Sequence, residues 1–473
     1  MSAIPIKDFE QQIVSKIDAL RSMISFIKYS KRARVPMEFM ELLEDVLVKV
    51  KEKFLLEVKD IRSAGFENEE EEVTTFALTF MPFIREIHEK LCVFLDTSEH
   101  IYLSNETLFA LRNLTSKFSK DFKLTLVPSC EYIYKVYSFQ NLYERLAKPF
   151  NIEGIESNNY PNWFFFLQYP NIEAQNILLN CVFAHEIAHF KDFQDQISES
   201  LIKDIHIEEK AFGELIERQL KEPIEKLEGE KPQQLTFKDV WGKERIERDL
   251  YKMVTVITRN WLTEIVADLL ALRTLGPAFL YSLIQYSLLL QIMHNYSDSH
   301  PASSWRIKYC IDELKELGAF DTIKNKKIKL YLNTWKKHID KSHRKPESGI
   351  YNVSFLTLQN ALDKIRRYIR VVSKTFTIDM KIYNKETDKI KKEFFLKCIP
   401  PIAVWNAKKE KSIYFNKIYI INAAWEVFLT EKENFCKNFD IKNIDDSVKA
   451  IEVLNKLTLK AIEGSDLLEL CQA

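Results

Sequence analysis

The 473-residue sequence is short of glycine. It has nine, where an average usage of about 7% would give roughly thirty-three. The closest pair, Gly229 and Gly242, stand 13 positions apart. There is no G-x-G-x-x-G and no Walker loop, which argues against nucleotide chemistry on a glycine-rich phosphate cradle. Few glycines also mean few positive-φ turns, and hence long helices rather than a hairpin-rich β fold. The seven cysteines, at 92, 130, 181, 310, 398, 436 and 471, are odd in number and include no C-x-x-C pair. They form neither a disulfide framework nor a cysteine zinc ribbon and read as free thiols of a reducing cytoplasm. Charge of one sign is also missing overall, with 68 Lys and Arg against 68 Asp and Glu. The first 21 residues hold no apolar run of the kind a signal peptide needs. One charge-free stretch, Thr274–Met293, has the length of a membrane span. Its Gly276-Pro277, two glutamines and two serines favour a buried helix, so no span is expected.

Hydrophobic periodicity supplies the organisation. Ile13, Ile17, Leu20, Ile24 and Ile27 recur at helical steps. A second helix is expected before a break at Ser63–Glu72, and further helices at 73–95 and 104–120. Residues 122–138, rich in β-branched and aromatic side chains and interrupted by Pro128, read as two short strands. A helix is expected at 138–148, and a strand at Asn162–Tyr169 between Pro161 and Pro170. Helices at 173–193, 243–275, 278–296 and 302–317 follow, with a loop at 228–234. The tail is mostly helical, with short strands near 394–405 and 412–421. The fold class is mainly α with a small sheet. Three regions result: helical 1–121, a core at 122–318 with a charged insertion at about 194–245, and a mostly helical 319–473. Within the last, 321–400 holds 20 Lys and Arg against 8 Asp and Glu.

Chemistry concentrates in His185-Glu186-Ile187-Ala188-His189. In a helix this H-E-x-x-H spacing puts both imidazoles on one face, one turn apart, where they can share a metal. Glu186 is rotated by about 100° from His185. It stands beside such a metal, placed to take a proton from water. The preceding apolar residues (Ile177 to Ala184) would bury the helix, and buried histidines and glutamate need partners. A catalytic zinc takes three protein ligands and keeps the fourth position open. A metzincin would place glycine and histidine where Asp192 and Asp195 stand. Asp195 would reach the metal only if the helix broke at Asp192. The third candidate is Glu264, in Glu264-Ile-Val-Ala-Asp268, set in an apolar stretch with Asp268 on the same face to orient a ligand histidine.

HExxH followed by E-x-x-A-D, then His300-Pro301 with Arg306-Ile307 as H-P-x-x-x-x-R-I, resembles the gluzincin zinc peptidases. Within them it is similar to the CAAX prenyl endoprotease and HtpX-type group. The similarity spans residues 160–310 and omits that group's membrane spans. It implies a zincin-like core and a Zn2+ cofactor held by His185, His189 and Glu264. It further implies Glu186 as general base, and His300 and Arg306 as transition-state stabilisers. A cap region for His300 and an ion pair for Arg306 are the plain alternatives. The resemblance also implies an edge strand, here Phe164, Phe165, Phe166 and Leu167, that pairs with extended substrate. The expectation is a zinc-dependent endopeptidase acting on a protein or peptide, latent until a regulatory partner activates it. The alternative is a regulatory or sensor protein whose basic 321–400 segment, with Tyr331 and Trp335 among its lysines, binds nucleic acid or another anionic partner.

Overall fold

The computed structural model describes residues 6–29, 37–64, 69–99, 122–129, 131–132, 134–138, 163–221, 242–342, 345–346, 349–406, 411–438 and 445–472. The chain divides into two compact units, Met1–Leu108 with Ser119–Ala174 and Phe109–Phe118 with Gln175–Ala473. The described residues are mainly helical. The helices expected at 104–120 and 138–148 and the loop at 228–234 lie outside them.

The first unit contains α1 (Ile6–Tyr29), α2 (Met37–Ser63) and α3 (Glu69–Glu99). The isoleucine and leucine stripe of α1 is buried against Leu43, Leu47 and Phe54 of α2 and Phe80 and Ile87 of α3. The acidic run Glu69–Glu72, expected in a break, is the first turn of α3. Acidic residues suit a first turn, where the helix dipole is positive. Three strands complete the unit: β1 (Phe122–Ser129), β2 (Lys135–Ser138) and β3 (Trp163–Pro170), in the order β1-β3-β2. Pro128 does not interrupt β1 but sits in register with Tyr169. Val127 and Phe166 join the helical core, where the rings of Phe39 and Phe166 are 4.9 Å apart.

The expected edge strand is not an edge. β3 is central, paired in parallel with β1 from Trp163 to Pro170 and antiparallel with β2 from Phe165 to Gln168. The backbone of Phe165–Leu167 is flanked on both sides, and these three side chains are buried. Phe164 pairs in register with Lys123. A substrate strand cannot be added where both ladders are already made.

In the second unit the expected helix at 173–193 begins late. A 3-10 turn at Leu179–Val182 precedes α4 (Phe183–Asp195). Asn176 Oδ1 accepts from the Leu179 N–H and from Asn455 Nδ2, and Asn455 Oδ1 accepts from the Leu178 N–H, which offers the backbone an alternative to helix. The charged insertion contributes α5 (Ile197–Ile202) and α6 (Glu209–Lys221). Next come α7 (Lys243–Leu275), α8 (Pro277–Leu289), α9 (Ser303–Glu316), α10 (Ala319–Thr322), α11 (Lys326–Ser342), α12 (Gly349–Val372) and α13 (Met380–Glu393). A hairpin of β4 (Ala403–Asn406) and β5 (Lys411–Tyr414) leads to α14 (Lys417–Thr430), α15 (Lys432–Asn438) and α16 (Asp445–Gln472).

The charge-free stretch forms only the 13-residue, largely buried α8. Among the described residues no helix is long and apolar enough to cross a membrane. Gly276 joins α7 to α8 with φ 65° and ψ −143°. Few residues but glycine adopt that conformation, and a Cβ there would stand 2.9 Å from Ile378. Asn422 of α14 clamps the same joint. Its amide donates to the Leu275 carbonyl at 2.7 Å, and its oxygen accepts from the Ala278 N–H at 2.9 Å. Residues 319–473 thus belong to the same compact unit as α4 and α7 rather than to a region of their own. The basic run is one face of α11. Ile328, Leu332 and Ile339 are buried, while Lys326, Lys337 and Lys341 face solvent. Lys336 pairs with Asp312 at 3.2 Å, and Lys327 donates to the Thr430 carbonyl.

Candidate metal centre

Two helices build the site. The last half of α7, from Trp261 to Leu275, is buried almost all round, as its apolar sequence requires. Glu264 and Asp268 lie one turn apart in that stretch and cannot turn to solvent. They turn to α4, where His185 and His189 are also one turn apart. His185 meets both carboxylates and His189 meets Glu264, so the two helices run antiparallel. The Nε2 atoms of His185 and His189 are 3.1 Å apart. Glu264 Oε2 is 3.2 Å from the first and Glu264 Oε1 is 3.3 Å from the second. Around a tetrahedral zinc with bonds near 2.1 Å, ligand atoms stand about 3.4 Å apart. The three donor sets all lie within 4.8 Å of one another. Glu264 Oε2 is buried and has no hydrogen-bond partner. A metal ion among the three side chains would supply the partner that neither His185 Nε2 at 3.2 Å nor Arg306 Nη1 at 3.4 Å provides as a hydrogen bond. The residues present therefore fit a metal ion.

Behind the ligands lies a closed polar layer. His185 Nδ1 is 2.8 Å from Asp268 Oδ1, so the ring is held with Nε2 toward His189 and Glu264. Asp268 in turn accepts from Arg306 Nε at 2.8 Å, from Arg306 Nη2 at 2.7 Å and from the Tyr309 hydroxyl. Arg306 and Tyr309 come from the first two turns of α9. The guanidinium also lies 3.4 Å from Glu264 Oε2 through Nη1. Asp268 is fully buried and Arg306 nearly so.

The electrostatics follow from this packing. Burial alone would strip the proton from His185, but the Glu264 and Asp268 carboxylates outweigh it and push the imidazole up to about 10. Burial opposes ionisation of Glu264, yet His185 and His189 hold it well below the usual carboxylate range. For Asp268, burial is overridden by Arg306, and the carboxyl again falls below its ordinary value. Glu186 differs. Burial raises its proton affinity above that of an ordinary glutamate, against the pull of the two imidazoles. A carboxyl poised in this way suits proton transfer.

The open side is on the other face. His185 and Glu264 side chains are 7% and 8% exposed, whereas His189 is 27% and His300 54%. His300, in the loop before α9, brings Nε2 to 3.5 Å from Glu264 Oε1. It is not one of the three residues whose donors converge. Asp195 is excluded as a ligand, since α4 runs unbroken through Asp192 and Asp195 pairs with Lys191 at 2.8 Å. Asp192 instead accepts from the Ser198 N–H and hydroxyl and holds the turn into α5.

All six expected residues of the metal region, His185, His189, Glu264, Asp268, His300 and Arg306, come together, with Glu186 beside them. The strand residues 164–167 belong to the other unit. Sequence reasoning missed Tyr309, whose signal was its place one turn after Arg306 on the same face. It also missed Tyr286 of α8. Burial pushes that phenol up to about 12, and the charges of Glu186 and Glu264 add to the shift. No protein family, curated protein or solved structure matches this chain.

Proposed function

We propose that the chain is a zinc-dependent endopeptidase with a gluzincin-like, zincin-type core, cleaving a protein or peptide substrate. One observation carries this reading. The donors of His185, His189 and Glu264 converge beside a glutamate of raised proton affinity, with the exposed side of the group toward His189 and His300. Structural zinc sites use four protein ligands, and three describe a site that keeps a position for water or substrate.

His185, His189 and Glu264 would hold the ion. Bound there, zinc supplies Lewis acidity, which polarises a carbonyl and makes water a nucleophile near neutral pH. Glu186 takes the proton from the attacking water and returns it to the leaving amine. His300 offers Nε2–H to the carbonyl oxygen as negative charge develops on it. Asp268 keeps His185 in the one ring orientation that presents Nε2. Arg306, which the resemblance cast as a transition-state group, gives two of its donors to Asp268 and is assigned a positioning role.

Metal analysis and a Glu186→Gln variant test the proposal together. Near-stoichiometric zinc should be found in both proteins. The variant should cleave casein or a mixed peptide library at least about a thousandfold more slowly, as expected when a general base is lost. Equal cleavage by parent and variant would sink the scheme, and a metal-free parent would sink the ligand assignment.

A further inference from the structure

The loop that carries His300 is built more tightly than a connection between two helices requires. The Ser297 N–H donates to the His300 carbonyl at 3.0 Å, and the His300 N–H donates to Ser297 Oγ at 3.0 Å, which closes a four-residue turn. The turn is fastened to α7 one turn before Glu264. Trp261 Nε1 donates to the Ser297 carbonyl at 2.8 Å, and Asn260 Nδ2 donates to the Asp298 carbonyl at 3.0 Å. From α12, Tyr351 donates to Asp298 Oδ1 at 2.7 Å, and its ring stacks on Trp261 at 5.8 Å. The His300 loop and Glu264 therefore share one rigid support.

The imidazole itself has two polar neighbours. Nε2 faces Glu264 Oε1 at 3.5 Å, and Nδ1 lies 2.8 Å from Ser299 Oγ. A carboxylate oxygen attracts a hydrogen and repels a lone pair, so the hydrogen is assigned to the nitrogen facing it. Nδ1 is then the acceptor, and the Ser299 hydroxyl must donate. Ser297 Oγ lies 3.3 Å from both Ser299 Oγ and the His300 carbonyl oxygen. Two contacts within one turn then hold the residue: His300 N–H to Ser297 Oγ, and Ser299 Oγ–H to His300 Nδ1. The hydrogen bond on one ring nitrogen decides the state of the other.

We propose that Ser299 is a positioning residue that locks His300 in the Nε2–H tautomer, aimed at the side of the metal ligands where a substrate carbonyl develops charge. The direction of the ring rests on geometry alone, and its use in catalysis rests on the peptidase reading. Ser299 is exposed, so its replacement leaves no cavity.

The test uses the full-length, zinc-loaded protein with 15N-labelled histidine, and a His300→Gln variant assigns the ring signals. Long-range proton–nitrogen spectra should show a hydrogen on Nε2 and a bare Nδ1 at His300. Ser299→Ala should turn that single pattern into a tautomer mixture, and Ser299→Thr should keep it. In turnover, Ser299→Ala should lower kcat about tenfold with KM and zinc content unchanged, with rescue by threonine. The same substitution in a His300→Gln background should cost nothing further. A hydrogen on Nδ1 in the parent overturns the proposal. So does a Ser299→Ala protein with the parent's spectrum and kcat. A fixed Nε2–H pattern in a parent that hydrolyses no peptide leaves the lock intact and refutes the peptidase reading instead.

Discussion

His185 uses both of its ring nitrogens, and its proton is the most informative one in the molecule. The folded, metal-free protein holds that proton up to about pH 10, whereas an unfolded imidazole releases it near about pH 6.5. The resulting stability is fully present below the unfolded value and is lost as pH rises through the folded one. Asp268 works in the opposite sense. Its lowered folded pKa gives stability above about pH 4, which is lost as pH falls toward the lowered value. A metal must displace the His185 proton, so zinc affinity should rise by about tenfold per pH unit from neutrality toward pH 9. Competition against a chelator of known affinity at several pH values measures this, and a flat profile would contradict the protonated site. Tyr309→Phe removes one donor from Asp268 without touching a ligand. It should weaken zinc by about 10–100-fold, as loss of an outer partner does, and the same competition reads it. At this scale the ligands were legible because H-E-x-x-H and Glu264-x-x-x-Asp268 are each local to one helix. The role of Arg306 was not, because a guanidinium beside a metal and one spent on a carboxylate look alike in sequence. Only the two bonds from Arg306 Nε and Nη2 to Asp268 separate them.

At the scale of elements, α7 is the axis of the second unit. Its second half carries Glu264 and Asp268, and its last turn carries Arg273, which donates to Glu313 of α9 from Nε at 2.9 Å and Nη2 at 2.6 Å. Glu313 is fully buried and also faces Arg366 of α12 at 3.6 Å. Glu313→Gln leaves the buried Arg273 guanidinium without its anion and should destabilise the unit by about 3–5 kcal/mol. Denaturant titration measures it. Asn422→Ala, which strips the clamp from the joint between α7 and α8, should cost about 1–3 kcal/mol in the same assay. Helices were legible as elements because their periodicity is written in consecutive residues. The place of β3 in its sheet was not. Its partners are set by register with strands at 122–129 and 135–138, and no pattern inside Asn162–Tyr169 distinguishes a central strand from an edge.

On the scale of the whole molecule, the two units carry separate burdens. The first has its own hydrophobic core of α1 to α3 with the sheet, and the three residues proposed to hold the metal belong to the second. Calorimetry should therefore show a transition that chelator lowers and one that it leaves in place. With free zinc at about a hundred times its dissociation constant, the metal adds about 2.7 kcal/mol to the second unit alone. A single transition that moves as one would rule out this independence. The pairing of α4 with α7 has a further consequence in time. His189 and Glu264 are 75 positions apart, and the supports of the site run on to Tyr309 and Tyr351. A refolding chain can hold two imidazoles early, but it completes the donor set only when α7 has docked. Zinc uptake then serves as a clock for that docking, and its rate in a refolding experiment dates the moment when two distant helices first lie side by side.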